Sequence, residues 1–363
     1  MSSTSAVIPA YQTVIQQIRA YVTAQRLKHG DRLPPERDFA ELLGVGRPTV
    51  NKALACLIAE GALRREGYKL YVSSPPIGEP ASVHIGVLCP HPLHRRQRVS
   101  HNLVEAAHDV CELAKVRFTP VLSMDGAQQQ AQLLEMLKAR PDGIVMWPHT
   151  DPPGREILMQ IASRDIPFVF SDINWGNFDY VGVDNFGGVR TILHHLEELG
   201  HREVAYFTKN LTTPTLDERC DGYRFGASRL FSDASQRRIY MVPGDDEAGM
   251  EELFARFIQK EKAVTAVCCS NDILAIEFIR LALKHGIDVP EQMSVAGFDG
   301  IGAAEVCSRP LTTVSQDFYQ LGALAVDLLI RRIRMRHITH ASQVQQIQLK
   351  PHLIVRSSTA RAM

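Results

Sequence analysis

The chain has 363 residues, 45% of them hydrophobic and 22% charged, with 40 basic side chains against 40 acidic ones. That length predicts two or three domains, that composition is ordinary for a soluble globular protein, and no apolar run reaches the ~20 residues of a membrane span. The zero net charge conceals an asymmetry: residues 1–75 carry ten Lys and Arg against six acids, leaving that segment at +4 and the remainder at −4. A small basic module on an acidic body suits a nucleic-acid reader joined to something else. Met1–Ala10 lacks the basic start and apolar run of a signal peptide, and seven cysteines follow no disulfide-like spacing, so a reduced, cytoplasmic protein is expected.

In chain order, Tyr11, Val14, Ile15, Ile18 and Val22 recur at helical spacing and predict a first helix, ended by His29-Gly30 and separated from the next by Pro34-Pro35. Glu36–Leu43 predicts a short second helix stopped by Gly44. A third begins near Arg47, where Pro48 fits the first turn; it buries Val50, Leu54, Leu57 and Ile58 and closes at Gly61. Two short strands, Ala62–Arg65 and Tyr68–Val72, surround Glu66-Gly67. This order predicts a winged helix-turn-helix, because the short Gly44-Val45-Gly46 turn makes the second and third helices cross steeply. With Val50 and Leu54 inward, Arg47, Thr49, Asn51 and Lys52 face out at the helix end that enters the major groove in this motif. Arg47 has the fork to grip a guanine edge or a phosphate, Arg37 can clamp the backbone, and Gly67 lets the wing approach a groove.

The stretch "LPPERDFAELLGVGRPTVNKALACLIAEGAL" closely resembles the DNA-binding domain of the GntR family, across residues 1–72. The resemblance implies contact with double-stranded DNA through Arg37, Arg47 and Thr49, with Gly67 in the wing. Three positions depart from the family pattern. Gly46 stands where a hydroxyl residue is usual and weakens the N-cap, Asn51 where a basic residue is common, and Lys69 where a second wing glycine is expected. These departures bear on operator sequence and wing geometry.

Residues 73–82 are proline-rich and predict a linker. Beyond them, strands are expected at Val83–Leu88, Arg117–Leu122, Gly143–Met146 and Pro167–Phe170, with helices near Leu103–Ala114, Gln128–Arg140 and Arg155–Arg164. Further strands are expected at Glu203–Phe207, Arg238–Val242, Ala263–Cys268 and Met293–Phe298. Such alternation predicts an α/β body of two lobes with parallel sheets and a cleft between them, the ligand lying beyond the carboxyl ends of the strands. Trp147, Ser171-Asp172, Ser270-Asn271-Asp272 and Asp299 stand at those ends. Carboxylates, amides and an aromatic ring suit a polyhydroxylated ligand. A lone Asp or Asn after a strand also reads as a helix cap, and one of Asn271 and Asp272 is expected to be one.

The segments "HHLEELGHREVAYF", "DERCDGYRFGA", "CSNDILAIEF", "MSVAGFDG", "LTTVSQD" and "PHLIVRSS" resemble the effector domain of the LacI family, in the family's order across residues 83–358. The resemblance implies a fold like periplasmic sugar-binding proteins, with lobe 1 at about residues 83–186 and 316–340 and lobe 2 at about 187–315 and 341–358. It places Asp172, Arg219, Asn271, Asp299 and Gln316 in the pocket, with Trp147 and the Cys89–His91 loop as further candidates. The family's own small DNA-binding head and hinge helix are absent, and the GntR-like module replaces them, as in AraR-type sugar repressors. What this combination implies is a homodimeric, ligand-responsive repressor of carbohydrate-utilisation genes, with a monosaccharide in the cleft. A purine or nucleoside is the alternative, since Trp147 could stack on either. There is no G-x-S-x-G, Walker loop or metalloprotease motif, so no catalysis is expected. His91, His94 and His101 lack cysteine or carboxylate at ligand spacing, so neither a metal nor another cofactor is expected, and no membrane partner.

Overall fold

The structure, a computed structural model, describes residues 10–362 except 26, 29, 60–61, 68, 74–82, 92–98, 150–152, 211–212, 244–246 and 336–342. The expected linker beyond Ser73, the helix-ending Gly61 and His94 lie outside the described residues.

The head consists of α1 (Ala10–Ala24), α2 (Glu36–Leu43), α3 (Arg47–Ala59), β1 (Leu63–Glu66) and β2 (Lys69–Val72). Val14, Ile18 and Val22 of α1 meet Phe39 of α2, Val50, Leu54 and Leu57 of α3, and Leu63, Leu70 and Val72 of the wing. Gly44, at φ +62°, ends α2 by donating its N–H to the Ala40 and Glu41 carbonyls. The Gly46 carbonyl starts α3, accepting from the Thr49 and Val50 N–H groups at 3.0 and 3.3 Å. In the wing, Leu63 pairs with Val72 and Glu66 with Lys69, so Gly67 stands in a tight hairpin turn at φ +59°.

The body holds two six-stranded sheets. The first contains β3 (His84–Pro90), β4 (Arg117–Ser123), β5 (Gly143–Met146), β6 (Phe168–Ser171), β7 (Asp179–Val183) and β13 (Gln346–Leu349), all parallel, in the order β13-β7-β6-β5-β3-β4. It is flanked by α4 (Val99–Ala114), α5 (Gly126–Lys138), α6 (Arg155–Ser163) and α12 (Phe318–Met335). The second contains β8 (Val204–Lys209), β9 (Ile239–Val242), β10 (Ala266–Cys269), β11 (Ser294–Asp299), β12 (Thr312–Ser315) and β14 (His352–Ile354). Its order is β14-β12-β11-β10-β8-β9, parallel except for β14. Its helices are α7 (Asn185–Glu198), α8 (Pro214–Leu230), α9 (Glu247–Lys260), α10 (Asp272–Lys284) and the short α11 (Ala303–Val306).

The chain crosses between sheets three times, after β7, after β12 and after β13. The last crossing corrects the expected lobe boundary. Gln346–Leu349 pairs with Tyr180–Val183 in the first sheet, so residues 346–349 belong to lobe 1 and only the segment after them returns to lobe 2. The alternation Gln346-Ile347-Gln348-Leu349 is that of a half-buried edge strand, but alternation does not say which sheet a strand joins. All eight expected strands form, while β7, β12, β13 and β14 were not foreseen.

The C-terminal segment is stitched to the amino-terminal ends of the second sheet. Ser358 Oγ donates to the Val295 carbonyl at 2.6 Å and accepts from the Thr312 N–H at 2.8 Å. Buried His201 lies 2.8 Å from Thr265 Oγ1 and 3.1 Å from both Ser294 Oγ and the Ala360 carbonyl.

Candidate functional site

The cleft is built first by lobe 2. Thr213 caps α8, its hydroxyl accepting from the Leu216 N–H, and the helix carries Arg219 inward to 5% exposure. Its neighbour Glu218 accepts from Asn185 Nδ2 at 3.0 Å. Arg219 donates from Nε to Asn185 Oδ1 at 2.8 Å, and from Nη1 to the Ser270 carbonyl at 2.7 Å and Asp299 Oδ1 at 2.9 Å. Its guanidinium lies 3.8 Å from the Phe298 ring centroid, a cation–π contact. Gln316 Nε2 donates to the same Asp299 oxygen at 2.7 Å. Burial pushes the Asp299 carboxyl up, and Arg219 and Gln316 pull against it.

Asp299 sits at φ +119°. A residue with a Cβ held there costs about 1–3 kcal/mol, so its surroundings must impose it. Gly300 follows at φ +71°, where a Cβ would overlap Ser315. Asn271 proves to be the cap of α10, its Oδ1 accepting from the Leu274 N–H at 2.9 Å. That spends the oxygen expected to face a ligand and leaves the amide Nδ2. Asp272, fully buried, accepts from the Ile301 N–H at 2.8 Å and the Thr313 hydroxyl at 2.5 Å. Burial and the charge of Asp299 push its carboxyl up.

Lobe 1 supplies the other side. Asp172 follows β6 at φ +68°; Tyr180 donates its hydroxyl to the Asp172 carbonyl at 2.9 Å, and the Trp147 side chain lies near enough to favour its ionised form. Burial pushes the Asp172 carboxyl up to about 6; the Arg219 guanidinium opposes this and the Asp299 charge adds to it. Gln129 of α5 holds the loop that carries Trp147, donating to the Trp147 carbonyl and accepting from the His149 N–H, both at 3.0 Å. The Trp147 ring stacks on Phe318, centroids 5.7 Å apart, so the start of α12 covers one of its faces. His91 donates its N–H to the Ser123 carbonyl at 2.7 Å, which ties the Cys89–His91 loop to β4.

Several side-chain atoms are sealed from solvent without a partner: Asp172 Oδ1, Ser270 Oγ and Gln316 Oε1 on these residues, and Asn174 Oδ1 and Trp175 Nε1 on the segment that follows Asp172. Each such atom costs about 1–3 kcal/mol. Asn174 and Trp175 were missed from sequence, although they directly follow Asp172 in "FSDINW". Asn185 was missed too, and nothing local marks it.

On the head, Arg37, Arg47, Asn51, Lys52 and Gly67 are exposed and Thr49 is half-buried. Two of them are tethered. The Lys52 ammonium lies 4.4 Å from the Tyr11 ring centroid, and the Asn51 amide abuts Glu36, which pairs with Arg65. Among the described residues no three His, Cys, Asp or Glu side chains gather as metal ligands, and no helix is long and apolar enough to cross a membrane.

Residues 10–69 match the gntR family of bacterial regulatory proteins, and residues 193–359 match the periplasmic binding protein-like domain. The arabinose metabolism transcriptional repressor of Geobacillus stearothermophilus is 25% identical over 362 residues, 97% of this chain and 98% of that one. The HTH-type transcriptional repressor PurR of Haemophilus influenzae is 31% identical over 230 residues, 62% of this chain and 67% of that one. A LacI family transcriptional regulator from Enterococcus faecium, solved with bound ribose, superposes with a TM-score of 0.64 at 23% identity, over 77% of this chain and 100% of that one.

Proposed function

As this chain belongs to the transcriptional repressors that join a GntR-family DNA-binding head to a periplasmic-binding-protein-like effector body, we propose that a neutral monosaccharide held between its lobes controls its grip on operator DNA. One observation carries the choice of ligand. Two sealed acceptors, Asp172 Oδ1 and Gln316 Oε1, and the Ser270 hydroxyl are unpartnered on residues that meet at the bonded Arg219–Asp299 pair. Sugar hydroxyls both donate and accept, so one small polyol answers all three. Trp147 already has one face on Phe318, which leaves less of it to stack on a purine. Arabinose in the name of one relative and ribose bound in another support the same class.

In this reading Asp172, Arg219, Asp299 and Gln316 bind the sugar, with the Asn271 amide and Trp147 at the rim. Arg37, Arg47, Thr49, Asn51, Lys52 and Gly67 meet the operator. Two copies pair through the body and place two heads on a pseudo-palindromic site. Leu113 and Val306, 85% and 83% exposed, are apolar side chains open to such pairing. The protein works in the cytoplasm and returns its ligand unchanged. Effector and DNA influence each other reciprocally, and a coupling of ~1–3 kcal/mol shifts operator affinity ~5–150-fold.

The test is calorimetric titration with free arabinose, ribose, other monosaccharides and purine bases, paired with operator-binding assays. One sugar binds and is recovered intact, and operator affinity shifts in its presence. Binding of a purine and no sugar replaces the sugar reading. Arg47→Ala weakens operator binding by at least about tenfold and leaves sugar binding as it was. Equal loss of both would overturn the separation of head and body.

A further inference from the structure

One buried carboxylate is left over by this account. Asp272 is fully buried, faces no cation among the described residues, and lies near enough to Asp299 to feel its charge. A carboxylate in that setting is costly and adds nothing to stability that a neutral side chain would not supply more cheaply. What it does hold is main chain. Its oxygens accept from the Ile301 N–H at 2.8 Å and from the hydroxyl of Thr313 on the neighbouring strand β12 at 2.5 Å. Gly297 makes room for it, since a Cβ there would overlap the carboxylate. The Ile301 amide belongs to the turn immediately after Asp299, the residue held at φ +119°.

We propose that Asp272 is a positioning residue of the effector site: by gripping the Ile301 amide and the Thr313 hydroxyl on either side of the turn it keeps Asp299 in its left-handed conformation, with its carboxylate on Arg219 and Gln316. The inference rests on the reading of this cleft as the effector site. Asp272 touches no ligand and acts only through Asp299. Its neighbour Asn271 caps the helix, so the adjacent pair divides two tasks: Asn271 starts α10 and Asp272 shapes the turn after β11.

The experiment titrates free arabinose and free ribose into the wild type, Asp272→Ala, Asp272→Asn, Asp299→Asn and the double variant Asp272→Ala/Asp299→Asn. Asp272→Ala weakens binding by at least about tenfold. Asp272→Asn, whose amide oxygen still accepts from the turn, recovers most of that loss. The double variant binds no worse than Asp299→Asn alone, because the first change has nothing left to act through. Wild-type affinity in Asp272→Ala, or losses that add in the double variant, overturns the proposal. Should Asp272→Ala not fold, Asp272→Ser replaces it with the same expected loss. If neither sugar binds the wild type, the sugar that the wider panel identifies takes their place; if none of the panel binds, the effector reading falls separately and a crystal structure of the variant decides this one. Asp299 leaves positive φ and its bonds to Arg219 and Gln316 if Asp272 positions it; unchanged geometry refutes the role.

Discussion

The two walls of the cleft differ in how finished they are. On lobe 2, Arg219 is held by Asn185, the Ser270 carbonyl and Asp299, and Asp299 also by Gln316. On lobe 1 the carboxylate of Asp172 has no such cation of its own among the described residues, and Asp172, Asn174 and Trp175 each leave a sealed polar atom unpartnered, as Ser270 and Gln316 do on lobe 2. The charged pair of lobe 2 is preorganised and loses little freedom when a ligand arrives. The free Asp172 oxygen gains a hydrogen bond when a hydroxyl donor fills the cleft. A ligand that docks on lobe 2 and is then met by lobe 1 would favour the closed arrangement, which is the differential affinity that a ligand-driven switch requires.

This contrast can be broken most forcefully at Arg219. Arg219→Ala leaves Asp299 buried without its cation, which costs about 3–5 kcal/mol. Sugar affinity falls by at least about a hundredfold and the melting temperature drops. Operator binding by the variant then no longer responds to sugar. Calorimetry and thermal melts check both effects; a variant that melts like the wild type would show that lobe 2 is not preorganised by this pair.

The matching change on lobe 1 has the opposite sign for stability. Asp172→Asn removes a carboxylate that burial disfavours, so the free protein melts no lower at pH 7.5, while sugar binds about tenfold more weakly. The wild type carries a pH signature of the same group. Burial raises the Asp172 pKa to about 6, so the folded protein retains a proton there that the unfolded chain loses near pH 4. Its contribution to stability therefore declines as pH rises from about 4 through 6. A sugar hydroxyl donating to the carboxylate favours the ionised form, so affinity rises as pH passes 6 and levels off above it. Titrations from pH 5 to 7.5 show this rise in the wild type and a flat profile in Asp172→Asn; a flat wild type would remove Asp172 from the site.

The smallest effect lies far from the cleft. Burial holds the His201 and His195 pKa values below their ordinary range, so folding favours the neutral rings. Their contribution is present above pH ~6.5 and is lost as pH falls below it. Raised carboxyls at Asp172 and Asp272 work in the opposite direction, so the check is a difference: on going from pH 7.5 to 5.5 the melting temperature of His201→Gln changes a few degrees more favourably than that of the wild type. A change in sugar affinity in that variant would tie the C-terminal segment to the cleft and blur the contrast between its walls.

Much of this was readable in order along the chain. The head's three helices, its Gly44 turn and its wing follow from apolar spacing and from glycines where positive φ is needed, and these are local rules. The eight expected strands were legible because buried parallel strands read as short apolar runs. Asp172 and Asp299 stood at foreseen strand ends, and the resemblance to the LacI family added Arg219, inside α8, and Gln316. The sequence by itself therefore determined the class of each domain, and it named Asp172 and Asp299 among the polar groups that meet around Arg219. Only the tertiary structure decided who meets whom. Arg219 and Asp299 are 80 residues apart, and sheet order alone brings them within 2.9 Å. Asn185 enters because a crossover ends beside α8, β13 joins lobe 1 by edge pairing, and Asp272 matters because β11 turns over it. Such contacts depend on sheet order and on which side chains the close-packed interior brings together, and no window of neighbouring residues records either.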